Sequence, residues 1–174
     1  DILKGQDVSV DSISVVLTPD YLEPALKDFN KIARQKKIVW MPLKCAGKIA
    51  LFGPLFNNQN GCFNCLLKRL ESNRALENNF ILEKKTETSL RLSQAYTKNS
   101  LATVLNVFCS ELINNCFLES KSSLKENVYS IDFHNLKIEE HKFIQLPNCG
   151  VCGNNVNHKI VLPLNLKKFE LKSI

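Results

Sequence analysis

The chain has 174 residues, 44% apolar and 23% charged, which is ordinary for a soluble globular domain with a hydrophobic core of its own. No apolar run approaches the roughly 20 residues that a bilayer crossing needs, so no membrane partner is expected. The net charge of +6 comes from 23 basic and 17 acidic residues. The lysines are scattered (Lys36-Lys37, Lys84-Lys85, Lys167-Lys168) rather than clustered, which argues against a nucleic-acid partner.

Asp1-Ile2-Leu3-Lys4-Gly5 lacks the charged start and apolar block of a secretory signal, so the compartment reads as cytoplasmic. Without Met at position 1, a processed chain or a piece of a longer one is expected. Residues 13–18, "ISVVLT", form a β-rich run ended by Pro19-Asp20. In the segment that follows, Leu22, Ala25, Leu26, Phe29, Ile32 and Ala33 recur at helical spacing, with Pro24 in the first turn and Asp20 placed to accept from its free N–H groups. "IVWMPL" (38–43) and "GKIALF" (47–52) read as strands on either side of Cys45-Ala46-Gly47. A polar helix is predicted from Leu66 through Leu67, Leu70 and Arg74 to about Lys85, then a loop or loose helix over 86–99.

Ser100 is placed to cap a core-facing helix marked by Leu101, Val104, Leu105, Phe108, Leu112 and Cys116. Cys109 and Cys116, seven apart, share a face of it and read as buried small hydrophobes. Residues 127–146 read as two strands joined near His134-Asn135. The order strand, helix, strand, strand gives an α/β domain that opens in mid-pattern, without its first elements.

Cys62-Phe63-Asn64-Cys65 and Cys149-Gly150-Val151-Cys152 are two CxxC pairs separated by 83 residues. Two residues between ligands let both sulfurs reach one ion at about 2.3 Å, and Gly61, Gly150 and Gly153 let the backbone turn tightly beside each pair. Four thiolates would close a tetrahedral, structural Zn²⁺ site with no position left for water. A redox pair remains open, since a CxxC ahead of a helix has its thiol pKa lowered. Incidental packed thiols remain open as well. Seven cysteines without an export signal argue against a disulfide framework.

Other chemistry is thin. His134, His141 and His158 show no ligand spacing, and no GxGxxG or P-loop occurs among the scattered glycines. Serines and cysteines lack a matched His and acid, so no catalytic residue is assigned. Trp40 reads as core.

Residues 15–74, from "VVLTPDYLEPALKDF" through "GPLF" to "GCFNCLLKRLESNR", resemble the ThiF-like (ubiquitin-activating-enzyme-like) region of azoline-forming cyclodehydratases, closest to the cyanobactin heterocyclase type. "LPNCGVCG" is similar to the second zinc knuckle of that region. "IVLPLNL" is similar to the segment leading into a YcaO catalytic domain. The resemblance implies an incomplete ThiF-like, Rossmann-related α/β domain over residues 1–153, carrying a structural Zn(Cys)₄ site at Cys62, Cys65, Cys149 and Cys152. Residues 154–174 would then be a linker toward a YcaO domain not present in this chain.

In that family a winged-helix clamp holds the leader of a precursor peptide, and the YcaO domain uses ATP and Mg²⁺ to activate a backbone amide. A Cys, Ser or Thr side chain attacks the preceding carbonyl, the oxygen is phosphorylated, and phosphate leaves to give a thiazoline or oxazoline. The expected partners are therefore the precursor peptide (leader and core) and a YcaO domain or subunit, with a homodimer as a further option. The chain itself would be a non-catalytic scaffold. Asp20 stands where adenylating relatives carry a metal-binding Asp, but without their Gly-rich loop it reads as a helix cap. Two other functions stay open: a ThiF-type enzyme that adenylates a peptide C-terminus, and a zinc-ribbon-like nucleic-acid binder with salt-sensitive affinity.

Overall fold

The structure, a computed structural model, describes residues 12–73, 95–117 and 123–153. The expected extension of the second helix to Lys85, residues 154–174 and His158 lie outside these. Strand β1 (Ile13–Leu17) leads into helix α1 (Pro24–Gln35) and back to β2 (Val39–Lys44), parallel to β1 with Ile13 opposite Val39. Next come β3 (Ile49–Phe52), α2 (Phe63–Asn73) and α3 (Lys98–Phe117). A single 3₁₀ turn (Ser123–Lys125) precedes β4 (Asn127–Asp132) and β5 (Lys137–Lys142). The sheet order is β1-β2-β3-β4-β5, antiparallel from β2 onward. The α/β class and the strand-helix-strand-strand order are as read from the sequence.

Pro24 occupies the first turn of α1. The Asp20 carboxylate accepts in the turn that leads into the helix. Its Oδ1 accepts from the N–H of Leu22 at 2.8 Å, one residue ahead of Glu23, which holds the cap position. The other end of α1 is closed by backbone bonds from Ile38 N–H to the Ala33 carbonyl (2.8 Å) and from Lys37 N–H to the Arg34 carbonyl (3.3 Å), with Lys37 at φ +55°. Helix α3 starts earlier than Ser100 suggests. Thr97 is the cap: Ser100 N–H donates to Thr97 Oγ1 (3.0 Å) and Thr97 N–H donates back to Ser100 Oγ (2.9 Å).

Helices cover both faces of the sheet. On one, α1 and α2 pack Leu26, Phe29, Ala33, Leu66 and Leu67 around Trp40, which is 1% exposed and lies 4.9 Å from Phe29, 5.0 Å from Phe56 and 5.8 Å from Phe63 by ring centroids. On the other, Val104 and Phe108 of α3 sit on Met41, Phe52, Tyr129 and Ile131. Strand β2 is buried on both faces, so its sequence is a continuous apolar run. Strand β5 is an exposed, charged edge, "KIEEHK".

Cys109 and Cys116 are exposed, not buried, and Leu105 is 38% exposed. They do share a face, but it is not the one that meets the sheet. Residues 98–117 are apolar around much of the helix, so periodicity alone could not choose. The Phe108 ring, edge-on to Phe52 at 5.8 Å, decides the orientation. The turn near His134-Asn135 is held by Asp132, whose carboxylate accepts from the N–H groups of His134 (2.8 Å) and Asn135 (3.2 Å).

Candidate metal centre

The first cysteine pair is delivered by a short loop that makes its own hydrogen bonds. Asn57 Oδ1 accepts from the N–H groups of Gln59 and Asn60, and Asn60 Nδ2 reaches the carbonyls of Leu55 (2.8 Å) and Lys125 (3.1 Å). Gly61 then passes beneath the Phe143 ring, where a Cβ would come within 2.6 Å of Cζ. Cys62 ends the loop, Phe63 opens α2, and Cys65 N–H closes onto the Cys62 carbonyl at 2.9 Å.

The second pair follows β5. Phe143 N–H bonds the Glu126 carbonyl (2.6 Å), Cys149 N–H bonds that of Leu146 (3.2 Å), and Gly153 N–H bonds that of Cys149 (2.7 Å). This winds the chain into a tight knuckle. Gly153 is required there by close approach, because a Cβ would lie 2.5 Å from the Cys149 carbonyl oxygen. Gly150 is not: nothing lies within 4 Å of a Cβ at that position.

The two knuckles meet. The four sulfurs of Cys62, Cys65, Cys149 and Cys152 all lie within 4.8 Å of one another, with 3.6 Å between Cys62 and Cys149 and 3.3 Å between Cys65 and Cys152. Tetrahedral ligands at about 2.3 Å from zinc would be about 3.8 Å apart. Cys62, Cys65 and Cys149 are buried and Cys152 is half-buried, and all four are free thiols. Each sulfur of one knuckle thus faces a sulfur of the other, so the two CxxC pairs form one cluster rather than two separate dithiols.

The local field already favours one thiolate. Burial works against ionisation of Cys149. The N–H groups of Cys152 and Val151, with the thiols of Cys65 and Cys62, outweigh it and bring Cys149 down to about 6. Burial pushes Cys62 and Cys152 up, and the neighbouring thiols raise Cys152 further. Leu146 N–H donates to Cys65 Sγ at 3.4 Å, and Gln145 Nε2 donates to the Cys152 carbonyl at 3.1 Å. An all-sulfur, nearly dry quartet with N–H donors aimed at it fits zinc chemistry, and four donors fill the tetrahedron.

The remaining candidates stay apart from this cluster. Trp40 is core, His134 lies in the β4–β5 turn, and Cys45 is half-buried, its thiol raised by burial. One pairing was not visible in the sequence. Ser130 Oγ lies 2.7 Å from His141 Nε2 across β4 and β5, on a cleft of about 800 Å³ that Leu51, Leu66, Arg69 and Leu70 also line. Its only signal was the hairpin register that sets Ser130 opposite Glu139, two residues from His141.

No family model and no curated protein matches the sequence. Solved structures do. A heterocyclase in complex with substrate and cofactor shares 26% identity over 83% of this chain, with a TM-score of 0.72. The heterocyclase TruD shares 28% over 81%, with a TM-score of 0.71. E. coli MccB with ATP shares 20% over 81% at a TM-score of 0.59, a likeness of fold alone. The chain spans 21% and 22% of the two heterocyclases and 39% of MccB. Among the described residues, no helix is long and apolar enough to cross a membrane. In fold, the chain is similar to part of two heterocyclases and, at lower identity, to part of MccB.

Proposed function

We propose that the chain is the zinc-bound scaffold of an ATP-dependent cyclodehydratase that converts Cys, Ser or Thr of a ribosomal precursor peptide to thiazolines or oxazolines. Residues 1–153 form the platform, and 154–174 lead toward a YcaO domain or subunit that carries ATP, Mg²⁺ and the catalysis. The observation that carries the reading is the convergence of Cys62, Cys65, Cys149 and Cys152 in a domain so close in fold to two heterocyclases.

When bound, zinc supplies a cross-link with no open coordination position. Cys62 and Cys65 hold it from the start of α2, and Cys149 and Cys152 hold it from the segment after β5. That ties α2 to the edge of the sheet. Asp20 fits a nucleotide-linked metal poorly, because its Oδ1 is engaged by Leu22 N–H and the sequence has no Gly-rich phosphate loop. No adenylation step is therefore assigned to this chain.

Reconstitution tests the reading. A YcaO protein and precursor peptide incubated with ATP should show loss of one water per ring, by mass spectrometry, only when this chain is added. Ring formation indifferent to the chain would overturn it. Peptide-dependent pyrophosphate exchange by the chain alone would favour the adenylating alternative.

A further inference from the structure

Asn30 lies on α1 and is fully buried. Its Oδ1 accepts from the backbone N–H of Phe63 at 3.2 Å, while its Nδ2 has no partner among the described residues. A buried amide that uses only its acceptor half is held for that one bond. Phe63 opens α2 and sits inside the first cysteine pair. First-turn N–H groups have no acceptor within their own helix; a side chain at the cap position reaches those of the second or third residue, and the first is left to another acceptor. In α2 the cap position is Cys62, whose sulfur is turned into the quartet, 3.6 Å from Cys149, and the first residue is Phe63.

We infer that Asn30 supplies, from the neighbouring helix, the acceptor for the first N–H of α2, and so acts as a positioning residue for the metal. By holding the Cys62–Phe63 peptide unit it fixes the direction in which the first sulfur points. Packing supports this. Phe63 is itself fully buried against Trp40, so a shift of that peptide unit would carry both the ring and the knuckle with it. The inference rests on the zinc reading.

The test uses the full chain with Zn²⁺ and, as a spectroscopic probe, Co²⁺. Asn30→Leu keeps the volume and removes the acceptor. It should weaken Zn²⁺ binding about ten- to hundredfold in chelator competition and alter the thiolate-to-cobalt charge-transfer bands. Its effect on Tm should be larger with metal than in the chelated chain. Asn30→Asp keeps an acceptor for Phe63 N–H and replaces the unused donor by a carboxyl, which at this buried position costs stability of its own. It should bind closer to wild type, and it carries the test should Asn30→Leu not fold. Wild-type affinity in Asn30→Leu, equal losses of Tm with and without metal, or a folded Asn30→Asp that binds no better than Asn30→Leu would each overturn the inference while leaving the zinc site standing. A wild-type chain that takes up no Zn²⁺ or Co²⁺ would overturn the zinc reading itself, and the inference with it.

Discussion

Around Gly153 the second knuckle has no spare room. A Cβ there would also lie 2.6 Å from the Pro147 carbonyl oxygen and 2.7 Å from Cys149 N, all backbone atoms that cannot swing aside. Gly153→Ala should therefore destabilise the domain by about 1–3 kcal/mol and weaken metal retention. Gly150→Ala, made in open space, should stay within about 0.5 kcal/mol of wild type by denaturant unfolding. Equal effects at the two positions would contradict the geometry. Cys65→Ser removes a buried thiol of the proposed zinc site. Structural zinc is worth about 10–16 kcal/mol in small zinc peptides, comparable to the whole stability of a domain at about 5–15 kcal/mol. The variant should lose soluble yield and thermal stability without losing any chemistry intrinsic to this chain, and retained metal and Tm would count against the site. The four cysteines were legible because CxxC spacing is a local pattern. Asn30 and the Ser130–His141 pair were not, since each depends on elements far apart in sequence.

At the scale of elements, two turns store or supply order in ways that spacing did not reveal. Lys37 closes α1 in the left-handed region, at φ +55°, where a Cβ costs about 1–2 kcal/mol. Lys37→Gly should therefore raise stability by about 1 kcal/mol, read as a higher urea midpoint at unchanged slope. The β4–β5 hairpin should be acid-sensitive. Desolvation, the largest single influence, pushes the Asp132 carboxyl up. Hydrogen bonds from His134 and Asn135, with Lys48 nearby, outweigh it and hold the group below its usual 3.8. A depressed folded value means the contribution is complete above the ordinary carboxylate range and is lost as pH falls through the lower folded value. The His134 and Asn135 amides should lose protection only in acid, and Asp132→Asn should abolish that pH dependence. The strands were legible because β2 is an apolar run and β4 and β5 flank a turn at His134-Asn135. The exposed face of α3 was not, because an almost uncharged helix offers two apolar stripes and only the sheet selects between them.

For the whole molecule, the sheet and its two helical layers supply ordinary packing, and the quartet lies where the loop before α2 packs on the segment after β5, 87 positions apart in the chain. A single ion bound there would act on the tertiary fold, so chelation should lower Tm and loosen α2 against β5 while the core around Met41, Phe52 and Phe108 persists. Binding also requires deprotonated sulfurs. With Cys62 and Cys152 held up as thiols, metal uptake should release protons and weaken as pH falls. The most direct measurement is elemental analysis of the full chain purified without chelator. One zinc per chain, reduced to trace levels by Cys65→Ser, is the predicted result. Folded wild-type protein without stoichiometric metal would contradict it.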